Sequence, residues 1–141
     1  MSGPIALLDT NIFLSARNPG ETAHGACRRL LDAIDAGQLQ AMVSTLTIAE
    51  IRAGLTPAEA AVMWQSFVSH LVSSPNYSVE SVDLEIAELA GAMRPRTGLS
   101  LPDALIVATG HLRGAAYLVT QDRTFARAQE LLPVRLPERA P

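Results

Sequence analysis

The sequence predicts a three-layer α/β/α fold around a mostly parallel sheet of five strands. Two observations predict it. Short apolar runs suited to strands alternate with segments of helical periodicity along the whole chain. And the 141 residues show no internal repeat and no linker, so one domain spanning 1–141 is expected.

The elements follow in order. "IALLD", residues 5–9, reads as a buried first strand with an acid at its tip. Residues 21–36 place Ala23, Ala26, Cys27, Leu30, Leu31 and Ile34 at helical spacing, and Gly37 stops that helix. "LQAMVST", 39–45, is a second strand and "TIAEIRAGL", 47–55, a helix. Thr56-Pro57-Ala58-Glu59 combines an N-cap, a first-turn proline and a capping-box glutamate. The helix it opens carries Val62, Met63, Phe67, Val68 and Leu71. "NYSVESV", 76–82, is a third strand, and 83–93 are helical. "RPRTGLS", 94–100, reads as a loop broken by Pro95 and Gly98. "LPDALIVATGHL", 101–112, is a helix apolar nearly all round, hence buried. "AAYLVT", 115–120, is a fourth strand, 124–131 a short helix and "PVRL", 133–136, a fifth strand. Residues 137–141 read as a loose tail.

Composition narrows the function classes. Hydrophobic residues make up 48% and charged residues 18%, as in a globular chain rather than a disordered one. Cys27 is the single cysteine, so no internal disulfide forms and no oxidising compartment is implied. No basic residue precedes an apolar run at the start, and no stretch of 18 apolar residues occurs. A cytoplasmic protein with no membrane segment is expected. The net charge of −3 argues against a protein held to nucleic acid by bulk electrostatics.

The acids carry the chemistry. In parallel sheets the site lies at the carboxyl ends of the strands. Asp9 ends the first strand, Glu50 lies near the start of the helix after the second, Asp103 sits in the first turn of its helix, and Asp122 follows the fourth strand. All four therefore project to one rim. Each also has a local explanation. Asp9 caps a turn, Glu50 sits on a solvated face, Asp103 suits a helix N-terminus, and Asp122 caps the next helix. Singly, those explanations suffice for Glu50 and Asp122. Asp103 shares its face with Ile106, Val107 and Gly110, where an unpaired carboxylate is expensive.

Together the four acids raise each other's pKa, so some hold protons or cations sit among them. The chain has no lysine. Arg52 and Arg123 belong to the same segments as the acids. A hard divalent cation with oxygen ligands, Mg²⁺ or Mn²⁺, answers the charge. Such an ion acts on phosphate esters by activating a bound water. Thr10, Asn11 and Thr120 flank the acids and can orient carboxylates, or else satisfy backbone at the strand end.

With "LLDTNIFL", "TIAEIRAGL", "LPDALIVATG" and "LVTQDRTF" in that order, the chain resembles the PIN domain family, and within it the VapC-type toxins of bacterial toxin–antitoxin pairs. The resemblance implies a sheet of strand order 3-2-1-4-5 and a metal-dependent ribonuclease. Asp9, Glu50, Asp103 and Asp122 match the family's acidic quartet, and Thr120 its Ser/Thr neighbour. Asp9 and Asp103 would then hold the principal ion, with Asp122 and Glu50 completing the site. A VapB-like cognate antitoxin that covers the site, and a homodimer or toxin–antitoxin hetero-oligomer, are implied too. The negative net charge departs from the pattern.

Arg17, Arg52, Arg94, Arg96 and Arg123 are candidate phosphate contacts, each also readable as a solvated arginine. His24, His70 and His111 have no metal-ligand spacing. Trp64 and Phe67 suit the core or a dimer or antitoxin face. A haloacid-dehalogenase site would need a second acid at position 11, which is asparagine, and a receiver domain a late lysine. A binding module without nuclease activity, and a nuclease directed at DNA, remain as alternatives separated by digestion assays.

Overall fold

The sheet forms because its central strands are apolar on both sides and must be covered twice. The computed structural model describes residues 3–140; Met1 and Ser2, at the start, and Pro141, of the expected tail, lie outside the described residues. The strands are β1 (Ile5–Leu8), β2 (Gln40–Ser44), β3 (Tyr77–Glu80), β4 (Tyr117–Val119) and β5 (Val134–Arg135). They lie in the order β3-β2-β1-β4-β5, and every pairing is parallel.

Side chains alternate between two cores. Ala6, Leu8, Ala41, Val43, Tyr117 and Val119 face one side. There they meet α1 (Thr10–Arg17), α2 (His24–Asp35) and α4 (Pro57–Ser73) through Ile12, Phe13, Leu30, Ile34 and Leu71. Leu7, Met42 and Leu118 face the other. They pack on α5 (Leu84–Thr97) and α6 (Leu101–Arg113) through Ile86, Ala90, Met93, Ile106 and Val107. α3 (Thr45–Gly54) follows β2 directly, with Ser44 as its cap. Among the described residues no helix is long and apolar enough to cross a membrane.

The ends of α2 and α4 follow their sequence signals. Gly37, at φ +79°, ends α2 with the paired bonds Gln38 N to Ala33 O and Gly37 N to Ile34 O, both 2.9 Å. Thr56 and Glu59 close a reciprocal capping box at α4.

Four stretches differ from expectation. Residues 10–17 were given no element, yet they form α1. Asn11 and Ser15 interrupt the apolar pattern there, although Ile12, Phe13 and Ala16 are buried. Helix α5 runs through Pro95 to Thr97, so Arg94 and Arg96 stand on its last turn rather than in a loop. Proline forfeits one helical hydrogen bond, and the helix continues less than a turn before Gly98, at φ +70°, ends it. The helix expected at 124–131 is a 3₁₀ segment, Arg123–Ala128, whose buried Phe125 and Ala128 are spaced by its three-residue turn. Residues 137–140 are not loose. Pro137–Arg139 form a 3₁₀ turn, and Ala140 is buried in the first core.

Gly110 fixes how closely α6 approaches the sheet. A Cβ there would stand 2.6 Å from Leu132 Cδ2 and 2.9 Å from Leu7 Cδ2. With any side chain there, Leu132 and Leu7 would have to shift for the helix to keep this depth.

Candidate active site

The carboxyl edge of β1 and β4 is where the strand order reverses, the usual place for a site in such a sheet. Asp9 follows β1, and its N–H donates to Val119 O at 3.0 Å, extending the ladder one residue. Thr120 follows β4. The two side chains are thereby neighbours: Thr120 Oγ1 donates to Asp9 Oδ2 at 2.7 Å. Asn11 Nδ2 donates to the same oxygen at 3.0 Å, and the Thr10 N–H donates to Asp9 Oδ1 at 2.8 Å. Three donors thus fix the carboxylate while it also caps α1.

Further contacts hold these donors. Asn11 Oδ1 accepts from the Gln121 N–H at 3.3 Å. Gln121 Nε2 donates to Asn11 O at 3.2 Å and to Ser15 Oγ at 2.8 Å. Thr120 Oγ1 accepts from the Asp122 N–H at 3.0 Å. Thr10 Oγ1 donates to Glu50 Oε1 at 2.6 Å and lies 3.2 Å from Thr47 Oγ1. Glu50, on an exposed face of α3, is thereby tethered to the start of α1. Asp122 Oδ1 accepts from the Thr124 N–H and hydroxyl, capping the 3₁₀ segment. Ser100 caps α6, and Asp103 lies in its first turn.

Asp9 is 8% exposed. Burial pushes its carboxyl up to about 6; the Thr120 and Thr10 hydrogen bonds oppose that, and the charges of Asp103 and Glu50 add to it. Asp103 is also raised, first by burial, against a Ser100 hydrogen bond, and then by Asp122 and Glu50. The four acids from four segments therefore sense one another at one edge. Among the described residues none of them is in an ion pair; the arginines that are paired hold Glu59, Asp32, Asp83 and Glu85.

The donors at this edge are carboxylate, hydroxyl and amide oxygens, with no histidine or thiol among them, which is the chemistry of a hard cation. Among the described residues no three His, Cys, Asp or Glu side chains form a group that could hold a metal ion. An ion at this edge would take one or two carboxylates together with waters and phosphate oxygens, as Mg²⁺ does.

The arginines separate. Arg17 ends α1 and pairs with Glu59 at 3.3 Å, and Arg52 lies over Trp64 at 5.8 Å. Arg96 shares a hollow with Arg127, and Arg94 is exposed beside it on α5. Arg123 adjoins Asp122 and lines a cleft with Thr120. Sequence reasoning missed Gln121, Ser15 and Thr47, which hold the donors. Gln121 alone had a visible signal, its place between Thr120 and Asp122.

The PIN domain model matches residues 6–131. The chain belongs to the PIN domain family. Several solved structures share its fold. FitAcB from Neisseria gonorrhoeae matches with a TM-score of 0.71 at 21% identity, covering 96% of this chain and 99% of that one. A toxin–antitoxin complex from Klebsiella pneumoniae matches with a TM-score of 0.67 at 28% identity, covering 94% and 97%. Mycobacterium tuberculosis VapC20, described as a Sarcin-Ricin loop cleaving toxin, matches with a TM-score of 0.68 at 23% identity, covering 92% and 98%. No curated protein matches the chain. The PIN domain here thus places its acids at the edge where its sheet reverses order.

Proposed function

We propose that this PIN domain is a metal-dependent endoribonuclease, the toxin of a toxin–antitoxin pair. One observation carries the reading: Asp9, Glu50, Asp103 and Asp122 are electrostatically coupled at one sheet edge with no arginine paired to them. Acids that push one another's pKa upward, one of them buried, would be favoured in their ionised form by a bound cation.

Asp9 and Asp103 would hold the principal Mg²⁺ or Mn²⁺, with Asp122 and Glu50 completing the donor set. Bound there, the ion supplies an activated water and charge stabilisation for phosphodiester hydrolysis. Thr120, Asn11 and the Thr10 N–H fix the plane of the Asp9 carboxylate. Thr10 Oγ1 aims Glu50 toward the same edge. Fixed carboxylates spare the reaction the reorganisation that mobile ones would need.

RNA as substrate is supported by the motif set and by the likeness to VapC20, a Sarcin-Ricin loop cleaving toxin. A VapB-like antitoxin as partner, and a homodimer or hetero-oligomer as the assembly, are supported by the toxin–antitoxin complexes of the same fold. A cytoplasmic location belongs to the same reading.

The test is digestion of single-stranded RNA and DNA side by side by nuclease-free protein. RNA cleavage that requires Mg²⁺ or Mn²⁺, stops with EDTA and disappears in Asp9→Asn is expected. Full activity in Asp9→Asn, or cleavage of DNA alone, overturns the reading. Expression should arrest growth, and co-expression of a small antitoxin frame should relieve the arrest.

A further inference from the structure

A chain of net charge −3 with four acids at its proposed cutting edge repels RNA phosphates unless positive charge stands close by. Two adjoining clefts supply it. One, of ≈ 470 Å³, lies between the first turn of α2 and the segment after β4; Arg29, Gln121, Arg123 and Glu138 line it. The other, of ≈ 410 Å³, is lined by Thr120, Asp122, Arg123 and Arg139. They share Arg123 and Leu136, so the arginine-lined surface runs directly to two residues of the acidic edge.

The arginines of this surface are free to meet an anion from outside. Among the described residues Arg29, Arg123 and Arg139 take part in no ion pair. The Arg29 guanidinium folds back over the first turn of α2, with Nη1 3.2 Å from where Gly25 would carry a Cβ. That end of α2 has neither a side-chain cap nor an acid in its first turn. A cation laid against the positive end of an uncapped helix is the reverse of what helices favour. Glu138 is the one carboxylate of the larger cleft. The excess of positive charge fits an anion that reaches the acids as well.

We infer that this surface, through Arg29, Arg123 and Arg139, holds backbone phosphates of single-stranded RNA next to the scissile bond. The identity of the strand rests on the nuclease reading; the phosphate contacts do not. The three arginines position the substrate and take no part in bond breaking. Continuity with Thr120 and Asp122 favours RNA, because a strand gripped here has its neighbouring phosphates at the cutting edge.

Binding is measured on the full chain carrying Asp9→Asn, with a fluorescein-labelled single-stranded oligoribonucleotide across a salt series. Adding Arg29→Gln, Arg123→Gln and Arg139→Gln should weaken binding about tenfold or more and reduce the slope of log K against log salt by about 2, at ~0.7 per phosphate. The three Arg→Lys changes should keep most of the slope, and Arg28→Gln, paired to Asp32 on α2, should keep all of it. With Asp9 intact, the loss should appear in KM more than in kcat. An unchanged Kd and slope, in variants whose thermal melts match the parent, overturns the inference while RNA cleavage stands. Failure of the wild type to cut RNA sinks the nuclease reading instead, with the salt slope still reporting on the arginines. If polyglutamate loses binding in the triple variant and the oligoribonucleotide does not, the surface serves a protein and the inference is wrong.

Discussion

Asp9→Asn should make the metal-free protein more stable at neutral pH while abolishing cleavage. In the folded chain the Asp9 carboxyl titrates near 6, against an ordinary 3.8. Between those values the folded state holds a proton that the unfolded state has released. Raising the pH through that window therefore weakens the fold. At 1.36 kcal/mol per unit, the ionised carboxylate costs about 3 kcal/mol once the pH is above 6, and nothing below 3.8. Asparagine removes this charge. It also places an amide N–H₂ where Asp9 Oδ2 accepts from Asn11 and Thr120, a mismatch costing about 1 kcal/mol. The net gain is about 1–2 kcal/mol at pH 8.

The assay is urea unfolding in EDTA at pH 4, 6 and 8, wild type against Asp9→Asn. The difference should be zero or unfavourable at pH 4 and should grow in favour of the variant by pH 8. A pH-independent difference would refute the account of Asp9 as a buried, uncompensated charge. Added Mg²⁺ should restore stability to the wild type and not to the variant, because the ion binds only the folded carboxylate site.

Thr120→Val removes the hydroxyl that donates to Asp9 and accepts from the Asp122 N–H, and should cost about 2 kcal/mol by urea unfolding. Without that donor Asp9 should titrate above about 6, so the acid limb of the pH–rate profile moves to higher pH. Gly110→Val should destabilise by about 2–3 kcal/mol, because the new side chain meets Leu132 and Leu7 between α6 and β1; an unchanged melting temperature would contradict the close approach. Asp122→Ser keeps an N-cap acceptor for the Thr124 N–H, so stability should shift by less than about 0.5 kcal/mol. Cleavage by Asp122→Ser should nonetheless fall at least tenfold, and full activity would reduce Asp122 to a cap.

Strands and buried helices were legible where one physical demand dominated. The apolar runs at 5–8 and 117–119 admit little but buried strands, and Thr56-Pro57-Ala58-Glu59 announces α4 by chemistry alone. α1 was hidden because its inner face carries Asn11 and Ser15, polar residues whose partner Gln121 stands 110 and 106 positions away. No local pattern reveals a partner so distant. The persistence of α5 through Pro95 was hidden for a related reason: buried Met93 and the Thr97 hydroxyl bonded to its carbonyl support the last turn against the proline. At the site, the alternation of strands and helices brought the four acids to one edge, but the arginines carried no comparable signal. Arg29 was overlooked because it lies on a helix that points to no motif, and only the folded chain sets it beside Gln121 and Arg123.

The local explanations hold for two of the acids and do not exclude the proposed function. Asp9 does cap α1, and Asp122 does cap the 3₁₀ segment. Capping by itself therefore does not separate a structural acid from a chemical one. Burial and unmet charge do. A cap on the surface keeps its carboxylate solvated, as Asp83 does at α5, where its carboxyl is held below the ordinary range, chiefly by the Ile86 N–H and then, beyond the opposing effect of burial, by Arg113. Asp9 is a cap, accepts three hydrogen bonds and is still pushed upward, because its helpers are neutral donors and its charged neighbours are other acids. A fold selected for stability alone would place asparagine there or bring up an arginine. Keeping a buried acid among acids costs stability in the free protein, and in the proposed function a bound cation would offset that cost.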